Sequence, residues 1–294
     1  MENRKNNFLI LIIPFLVALD LAVWILIFAG NRQFKNPEID FLDIGQGDAS
    51  LIILPSPGGG LAGGVKMLID GGPPDGKLQA NLERILPIND RYIDLVSISH
   101  PQLDHFGGFI DLFKNYKIGA VLTSNQSSES AAWQELERVI KERKIPRIIL
   151  SAGDKIKYQD SYFDILSPRI NDWAKDINDF SIVDLLHAGG ITAFFGADIS
   201  GEKEKQLADL YDVNADVLKV SHHGSRFSSD ADFLKEASPA ISVISVGAHN
   251  TYGHPTKEAL GRLASVGTRI YRTDQNGLVK LIIDKDKLRI YTDR

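Results

Sequence analysis

His100, Asp104 and His105 fall within six residues, immediately after the apolar run Tyr92 to Ser99. Imidazole nitrogens and carboxylate oxygens are the donors a zinc-class ion selects, and catalytic sites gather them on loops at strand ends. Gly107-Gly108 follows at once and lets the backbone turn tightly enough to bring three side chains around one ion. Other segments repeat the arrangement, setting His or Asp in a small-residue turn behind an apolar run. Asp198 follows Phe194 to Ala197, and His222 and His223 follow Val217 to Ser221. His254 follows Val243 to Val246 by way of Gly253, and Asp43 and Asp48 flank the turn Gly45-Gln46-Gly47. Strand ends of this kind, converging, would build a metal site on a rigid sheet. Singly, each has a plainer reading. Asp198 would serve as an N-cap for a helix from Gly201, His222-His223 as loop residues, and His254 as a structural histidine before a proline. His187 and His249 read better as surface. Together the segments point to a site.

The elements that must position these groups follow from periodicity. Ile39 to Ile44, Ala49 to Leu54 and Val65 to Ile69 read as a β-meander, with the loop PSPGGGLAGG joining the last two and Asp70-Gly71-Gly72 closing it. Helices are predicted over Leu78 to Leu86, Phe106 to Asn115, Glu129 to Arg143, Glu202 to Leu210, Ala231 to Ala237 and Lys257 to Val266. Strands are predicted over Tyr92 to Ser99, Ile118 to Leu122, Arg147 to Ile149, Tyr162 to Leu166, Val217 to Val220 and Ile241 to Val246. Ile182 to Leu186 and Ile191 to Phe195 form a hairpin across His187-Ala188-Gly189-Gly190, and three short strands from Arg269 close the chain. Strands and helices mix without a break, which predicts one two-layered α/β domain.

The chain has 294 residues, 44% of them apolar and 24% charged, enough for a large core. A net charge of −5 argues against a generally basic nucleic-acid-binding surface, and the absence of cysteine excludes disulfides and thiolate zinc sites. One compositional shift stands out. Residues 8–30 read FLILIIPFLVALDLAVWILIFAG, with Asp20 the only charge. At about 1.5 Å per residue this crosses a hydrocarbon core of about 30 Å. No small-x-small cleavage site precedes Asn31, so the segment reads as an uncleaved transmembrane anchor, followed by a folded domain over 39–294. Asp20 costs about 2.5–3.5 kcal/mol in lipid and would face a partner helix. Arg4 and Lys5 before the anchor balance Arg32 and Lys35 after it. The expectation is a single-pass membrane protein with its soluble domain extracytoplasmic.

The ordered set FLDIGQGDA, LIDGG, SHPQLDHFGG, FFGAD, LKVSHHGS and YGHP resembles the metallo-β-lactamase-fold domain of the ComEC competence proteins over about residues 39 to 285. The resemblance implies an αββα sandwich with a metal site at one edge of its two sheets. It implies a hydrolase of phosphodiester bonds, DNA among them, linked to DNA uptake. It assigns His100, Asp104 and His105 to the main metal motif, Asp198 to the acid that bridges two ions, and His254 to the last histidine ligand. His222 and His223 fall on the motif lining the site, with the contacting ring undecided. Asp43, Asp48 and Asp70 look like acids that orient the ligands. Asn178 and Ser181 stand where this family has an Asn and a Ser. Gln102 departs from the pattern, because ComEC-like domains commonly carry Asp there, and a neutral amide is a weak ligand. The many-helix channel region is also missing, so any transport would need a separate membrane channel partner.

The expected chemistry is hydrolysis assisted by one or two divalent ions, Zn²⁺ or Mn²⁺, with Asp104 and Asp198 as the catalytic carboxylates. Lys219 and Ser225 are the candidates for phosphate contacts. Two other classes fit the same residues. One is hydrolysis of a lactone, thioester or other ester, since the fold hosts many chemistries. The other is a metal-binding module whose activity Gln102 has weakened.

Overall fold

A computed structural model describes residues 13–23, 34–56, 64–170 and 176–294. Residues 13–23 form a helix, α1, with every side chain exposed, among them Phe15, Leu16 and Leu19. The rest of the expected membrane segment lies outside the described residues, and no helix among those described is long and apolar enough to cross a membrane.

From Phe34 onward, strands and helices build four layers rather than the two expected from their alternation. The first sheet has eight strands in the order β15-β14-β1-β2-β3-β4-β5-β6. They are β1 Glu38–Phe41, β2 Ser50–Leu54, β3 Val65–Ile69, β4 Tyr92–Ile98, β5 Lys117–Thr123, β6 Arg147–Ile149, β14 Val279–Asp284 and β15 Lys287–Thr292. The second has seven, ordered β13-β12-β11-β10-β9-β8-β7. These are β7 Lys155–Tyr158, β8 Ser161–Ser167, β9 Val183–Ala188, β10 Ile191–Phe195, β11 Val217–Lys219, β12 Ile241–Ile244 and β13 Arg269–Arg272. The strand β7 was not legible, because Lys155–Tyr158 is charged at alternate positions and only half-buried.

Alternation along the strands sorts side chains between three cores. Ile39 and Phe41 from the first sheet meet Phe195 and Val243 from the second in the inter-sheet layer, where the Phe41 and Phe195 rings lie 6.0 Å apart. Leu51 and Ile53 point the other way, onto the helices of the first sheet. Those helices are α2 Lys77–Ile85, α3 Leu103–Phe106, α4 Phe109–Asn115 and α5 Ala131–Glu142. Phe194 and Leu218 point onto α6 Gly201–Leu210, α7 Ala231–Ala237 and α8 Lys257–Ser265 on the far side. A short helix α9, Thr273–Asn276, precedes β14. The molecule is therefore helix, sheet, sheet, helix in section. The hairpin of β9 and β10 turns at Gly189-Gly190, both with positive φ, so His187 and Ala188 lie in the strand rather than the turn.

The helix predicted over Phe106 to Asn115 is two helices, broken at Gly107-Gly108. The break has a steric cause. A Cβ on Gly108 would stand 2.2 Å from the Gly71 carbonyl oxygen, and the Gly108 amide donates to Gly72 O at 2.9 Å. The loop after β3 thus presses directly on the helix carrying Asp104 and His105. Strands β3, β4 and β5 run parallel, as do β10, β11 and β12. Parallel strands end at a common edge, where α/β sheets place their ligands. Every loop bearing a candidate ligand, except that of Asp48, leaves the C-terminal end of such a strand.

Phe106 holds the ligand helix α3 down, being fully buried with its ring edge-on to Trp133 at 5.0 Å. Truncation of such a ring costs about 3–5 kcal/mol. Phe106→Ala should lower the unfolding free energy by that amount in urea titration, and a loss below about 1 kcal/mol would show that α3 is held elsewhere.

Candidate metal centre

Asp198 is the hub. The strand β10 ends at Phe195, Gly196-Ala197 turns the chain, and the carboxylate emerges 2% exposed between the sheets. It does not cap α6, because Ser200 does so, accepting from the Lys203 amide, while Asp179 holds Ser200 in place. Asp198 Oδ2 lies 3.4 Å from His105 Nε2, 3.6 Å from His223 Nε2 and 3.8 Å from His222 Nε2. His223 Nε2 stands 3.7 Å from Asp104 Oδ2, and the His100 and His105 rings are 4.1 Å apart. Among the described residues, three ligand sets have all their donor atoms within 4.8 Å of one another: His100, His105 and Asp198; Asp104, His105 and His223; and Asp48, Asp198 and His223. A fourth set joins Asp48, Asp70 and His105.

Each of the three buried imidazoles is aimed by a partner on its other nitrogen. His105 Nδ1 meets Asp70 Oδ2 at 2.8 Å, and His100 Nδ1 meets Ser99 Oγ at 2.9 Å. His223 Nδ1–H donates to the Ser245 carbonyl at 3.0 Å. These bonds fix the tautomers and leave Nε2 free, as a ligand requires. The Nε2 atoms of His100, His105 and His223 and Oδ1 of Asp198 are buried without any hydrogen-bond partner. Buried polar atoms are seldom left so, and here they face one another. In a tetrahedron with bonds of about 2.0–2.2 Å, ligand atoms are about 3.3–3.6 Å apart. The separations of 3.4 Å between His105 and Asp198 and 3.6 Å between His223 and Asp198 fall on that edge, and the 3.7 Å between His223 and Asp104 is just above it. The donor set fits a divalent ion.

The charges agree. Burial would push the His223 imidazolium down, but the Asp198 and Asp48 carboxylates override it and raise its pKa to about 10. His105 is likewise raised against burial by Asp198 and Asp70. Asp198 is held well below the usual carboxylate range, its burial outweighed by His223 and His105. Without a cation, protons on these rings do the neutralising. His100, by contrast, is pushed down to about 4 by burial and by its neighbour His105.

The adjacent histidines differ in burial. Both have left-handed backbones, with φ of 50° and 55°, which costs about 1–2 kcal/mol each in a residue bearing Cβ. That conformation turns His223 inward, 2% exposed, while the His222 side chain stays 33% exposed at the rim. His254 is also at the rim, its ring edge-on to His222 at 5.8 Å, and belongs to none of the four sets. Burial and the two neighbouring histidines lower its pKa.

Other expected residues lie elsewhere. Asp43 pairs with Arg294 at 2.9 Å, away from the cluster. Lys219 is 3% exposed and paired with Asp48, so its ammonium faces the floor of the site and not a substrate. Ser225 is buried and accepts from the Phe227 amide at 3.3 Å. Gln102 Nε2 donates to Asn178 Oδ1 at 2.6 Å, so these two amides occupy each other, and Ser181 Oγ donates to the Asn178 carbonyl. Asp48, expected as an orienting acid, is itself in two of the ligand sets. Lys219 and His223 outweigh its burial and lower its pKa to about 2. Ser99 was missed. Its amide and hydroxyl both donate to Asp70 at 2.8 Å, and the signal was its place directly before His100.

No family model matches the chain. ComE operon protein 3 of Bacillus subtilis is 28% identical over 278 residues, covering 88% of this chain and 34% of that protein. Recombination protein 2 of Haemophilus influenzae is 28% identical over 269 residues, or 90% of this chain and 31% of that one. Competence protein ComA of Neisseria gonorrhoeae is 28% identical over 208 residues, or 68% and 28%. The chain spans about a third of the length of these relatives. Among solved structures, the metallo-beta-lactamase fold protein YhfI from Bacillus subtilis superposes with a TM-score of 0.56 at 12% identity, covering 83% of this chain and 100% of that one. CmlA, a diiron beta-hydroxylase from Streptomyces venezuelae, gives 0.55 at 11% identity, covering 85% of this chain and 54% of that one. Likeness at such identities speaks for the fold alone. In sequence the chain resembles the ComEC-like competence proteins, and in structure it has the α/β metallo-β-lactamase fold.

Proposed function

We propose that this chain is a metal-dependent hydrolase of phosphodiester bonds, with DNA as substrate, linked to DNA uptake. The observation that carries the reading is the clustering of unpartnered buried donors from His100, His105, His223 and Asp198 in overlapping ligand sets that share His105 and Asp198. The names of the relatives, competence and recombination proteins, support DNA as the substrate. One position is offered by Asp104, His105 and His223, and Zn²⁺ or Mn²⁺ suits its mixed donors. A second set, His100, His105 and Asp198, shares His105 with the first, and Gln102, engaged with Asn178, adds no charge to it, which supports one tightly held ion rather than two.

When bound, the ion supplies Lewis acidity and makes a water acidic enough to be a nucleophile near neutral pH. The protein does the rest. Asp70 and Ser245 hold the rings of His105 and His223 in register. Asp198 sits beside the imidazoles of His105, His222 and His223, where its Oδ1 can accept the proton of an attacking water. Asp104, with a third of its side chain exposed, opens the cluster to substrate. His222 and His254 stand at the mouth, in position to meet phosphate oxygens. Residues 8–30 tether the domain as a single-pass anchor with the domain extracytoplasmic, and passage of DNA across the membrane belongs to a separate channel partner.

Asp198→Ala should remove stoichiometric metal and DNA cleavage together, read by elemental analysis and an oligonucleotide assay in Mn²⁺ and in Zn²⁺. Wild-type cleavage persisting in this variant would reject the assignment. Stoichiometric metal in the wild type with turnover on esters alone, or on nothing, would move the chain to the other hydrolases or to a binding module. Asp70→Ala touches no substrate, yet should weaken metal affinity about 10–100-fold in chelator competition, because His105 loses its orienting bond. Unchanged affinity would show that α3 alone aims the ring.

The pH dependence has a definite sign. A histidine whose folded pKa is raised stabilises the fold fully below its unfolded value of about 6.5 and loses that contribution as pH climbs through the folded value. For His223 that value is about 10, and His105 acts in the same direction. Metal needs the neutral rings, so its binding strengthens over the same window. Melting temperatures of chelated and metal-loaded protein should therefore diverge from about pH 6 to about pH 9, the chelated form falling. Parallel curves would contradict the proton-for-metal exchange.

A further inference from the structure

The rings of the metal centre do not stop at its mouth. His222, which touches Asp198, meets His254 edge-on at 5.8 Å and 70°. His254 in turn carries Tyr252 stacked almost parallel, centroids 6.0 Å apart at 16°. Tyr252 is 68% exposed, so its ring, set parallel and offset beside His254, stays largely open to solvent. The loop beneath is closed by one side chain. Asn250 Nδ2 donates to the carbonyls of Gly247 and His254 at 2.9 and 2.8 Å, and its Oδ1 accepts from the His254 amide at 3.0 Å. Tyr252 is thus presented on a fixed loop beside the reacting centre.

The adjoining loop presents a second ring. The Thr256 amide donates to the Gly224 carbonyl at 2.9 Å, packing this loop against the one that bears His222 and His223. Phe227 on that loop is also 68% exposed, with the Arg226 guanidinium 4.7 Å from its ring centroid. Arg262 fixes it, donating to the carbonyls of Arg226, Ser228 and Ser229 at 2.9, 2.7 and 2.8 Å. Two open aromatic faces and one guanidinium on rigid loops are what a single strand needs, with rings for the bases and a cation for the backbone. Bases in a duplex are stacked on each other, so the open face of Tyr252 suits an unpaired one.

We propose that Tyr252, backed by His254, is a base-stacking platform that seats an unpaired nucleobase next to the scissile phosphate, with Phe227 and Arg226 as a second contact along the strand. The inference rests on the phosphodiesterase reading above and adds the residue that selects a nucleotide. It is tested on the full chain with Mn²⁺, using a labelled single-stranded oligonucleotide and the same strand carrying abasic residues around the cleaved bond. Tyr252→Ala should raise KM for the base-bearing strand about tenfold, and Tyr252→Phe should restore it. On the abasic strand the wild type should show the raised KM already, with no further increase from Tyr252→Ala. Equal KM for wild type and Tyr252→Ala on the base-bearing strand would overturn the platform while leaving the hydrolase intact. An equal rise on both strands would also overturn it. Anisotropy binding of the same strands separates the two readings. If the wild type binds but cleaves neither strand, and Tyr252→Ala still weakens binding of the base-bearing strand alone, the platform stands and the nuclease assignment falls.

Discussion

A carboxylate buried among imidazoles constrains everything around it. Asp198 is almost wholly removed from water, and an isolated ionised group there would be too costly to keep. It is kept because His105, His222 and His223 approach within 3.8 Å and compensate it with protons or, in their place, a cation. The buried rings of His100, His105 and His223 are each held by the far nitrogen. Those bonds fix Asp70, Ser99 and the Ser245 carbonyl, and through them the ends of β3, β4 and β12. The centre is a property of both sheets at once.

Close approach of backbones makes this convergence possible. Gly47, at φ 119°, brings its loop so near α3 that a Cβ there would lie 2.1 Å from the Asp104 carbonyl oxygen. The Asp48 amide donates to that same oxygen, the Gly71 amide to the His105 carbonyl and the Gly72 amide to the Asp48 carbonyl. Three loops distant in sequence are stitched into one floor. The left-handed His222 and His223 are held in the same way, by the His222 amide on the Ala197 carbonyl and by Arg262 beneath. Strain at the ligand loop is offset by bonds outside it.

The sequence announced most of this by residue type at strand ends. His100, Asp104, His105, Asp198 and His223 all meet, because an apolar strand followed by a small-residue turn is a pattern that places side chains at a sheet edge. What could not be read was direction. Asp43 and Asp48 flank one turn and look alike, yet Asp43 faces Arg294 and Asp48 the centre. Lys219 looked like a phosphate contact, but in a buried parallel strand its side chain points inward to Asp48. His222 and His223 are neighbours in identical context, and a backbone conformation that only coordinates reveal separates them. The four layers followed from the resemblance and not from periodicity, because alternation counts elements and says nothing of how many sheets they form. Lys155–Tyr158, polar and at an edge, lacks the apolar signal by which strands are found.

The paired amides of Gln102 and Asn178 have an electrostatic consequence. An acid at position 102 would put another negative charge on that flank. Against an arriving anion about 4 Å away it would exert a repulsion of about 4 kcal/mol at an effective dielectric of about 20. As built, that wall is uncharged, and Asp48 below is already answered by Lys219. The approach to the cluster is therefore permissive to a polyanion from one side, a bias set by two neutral side chains that bind each other.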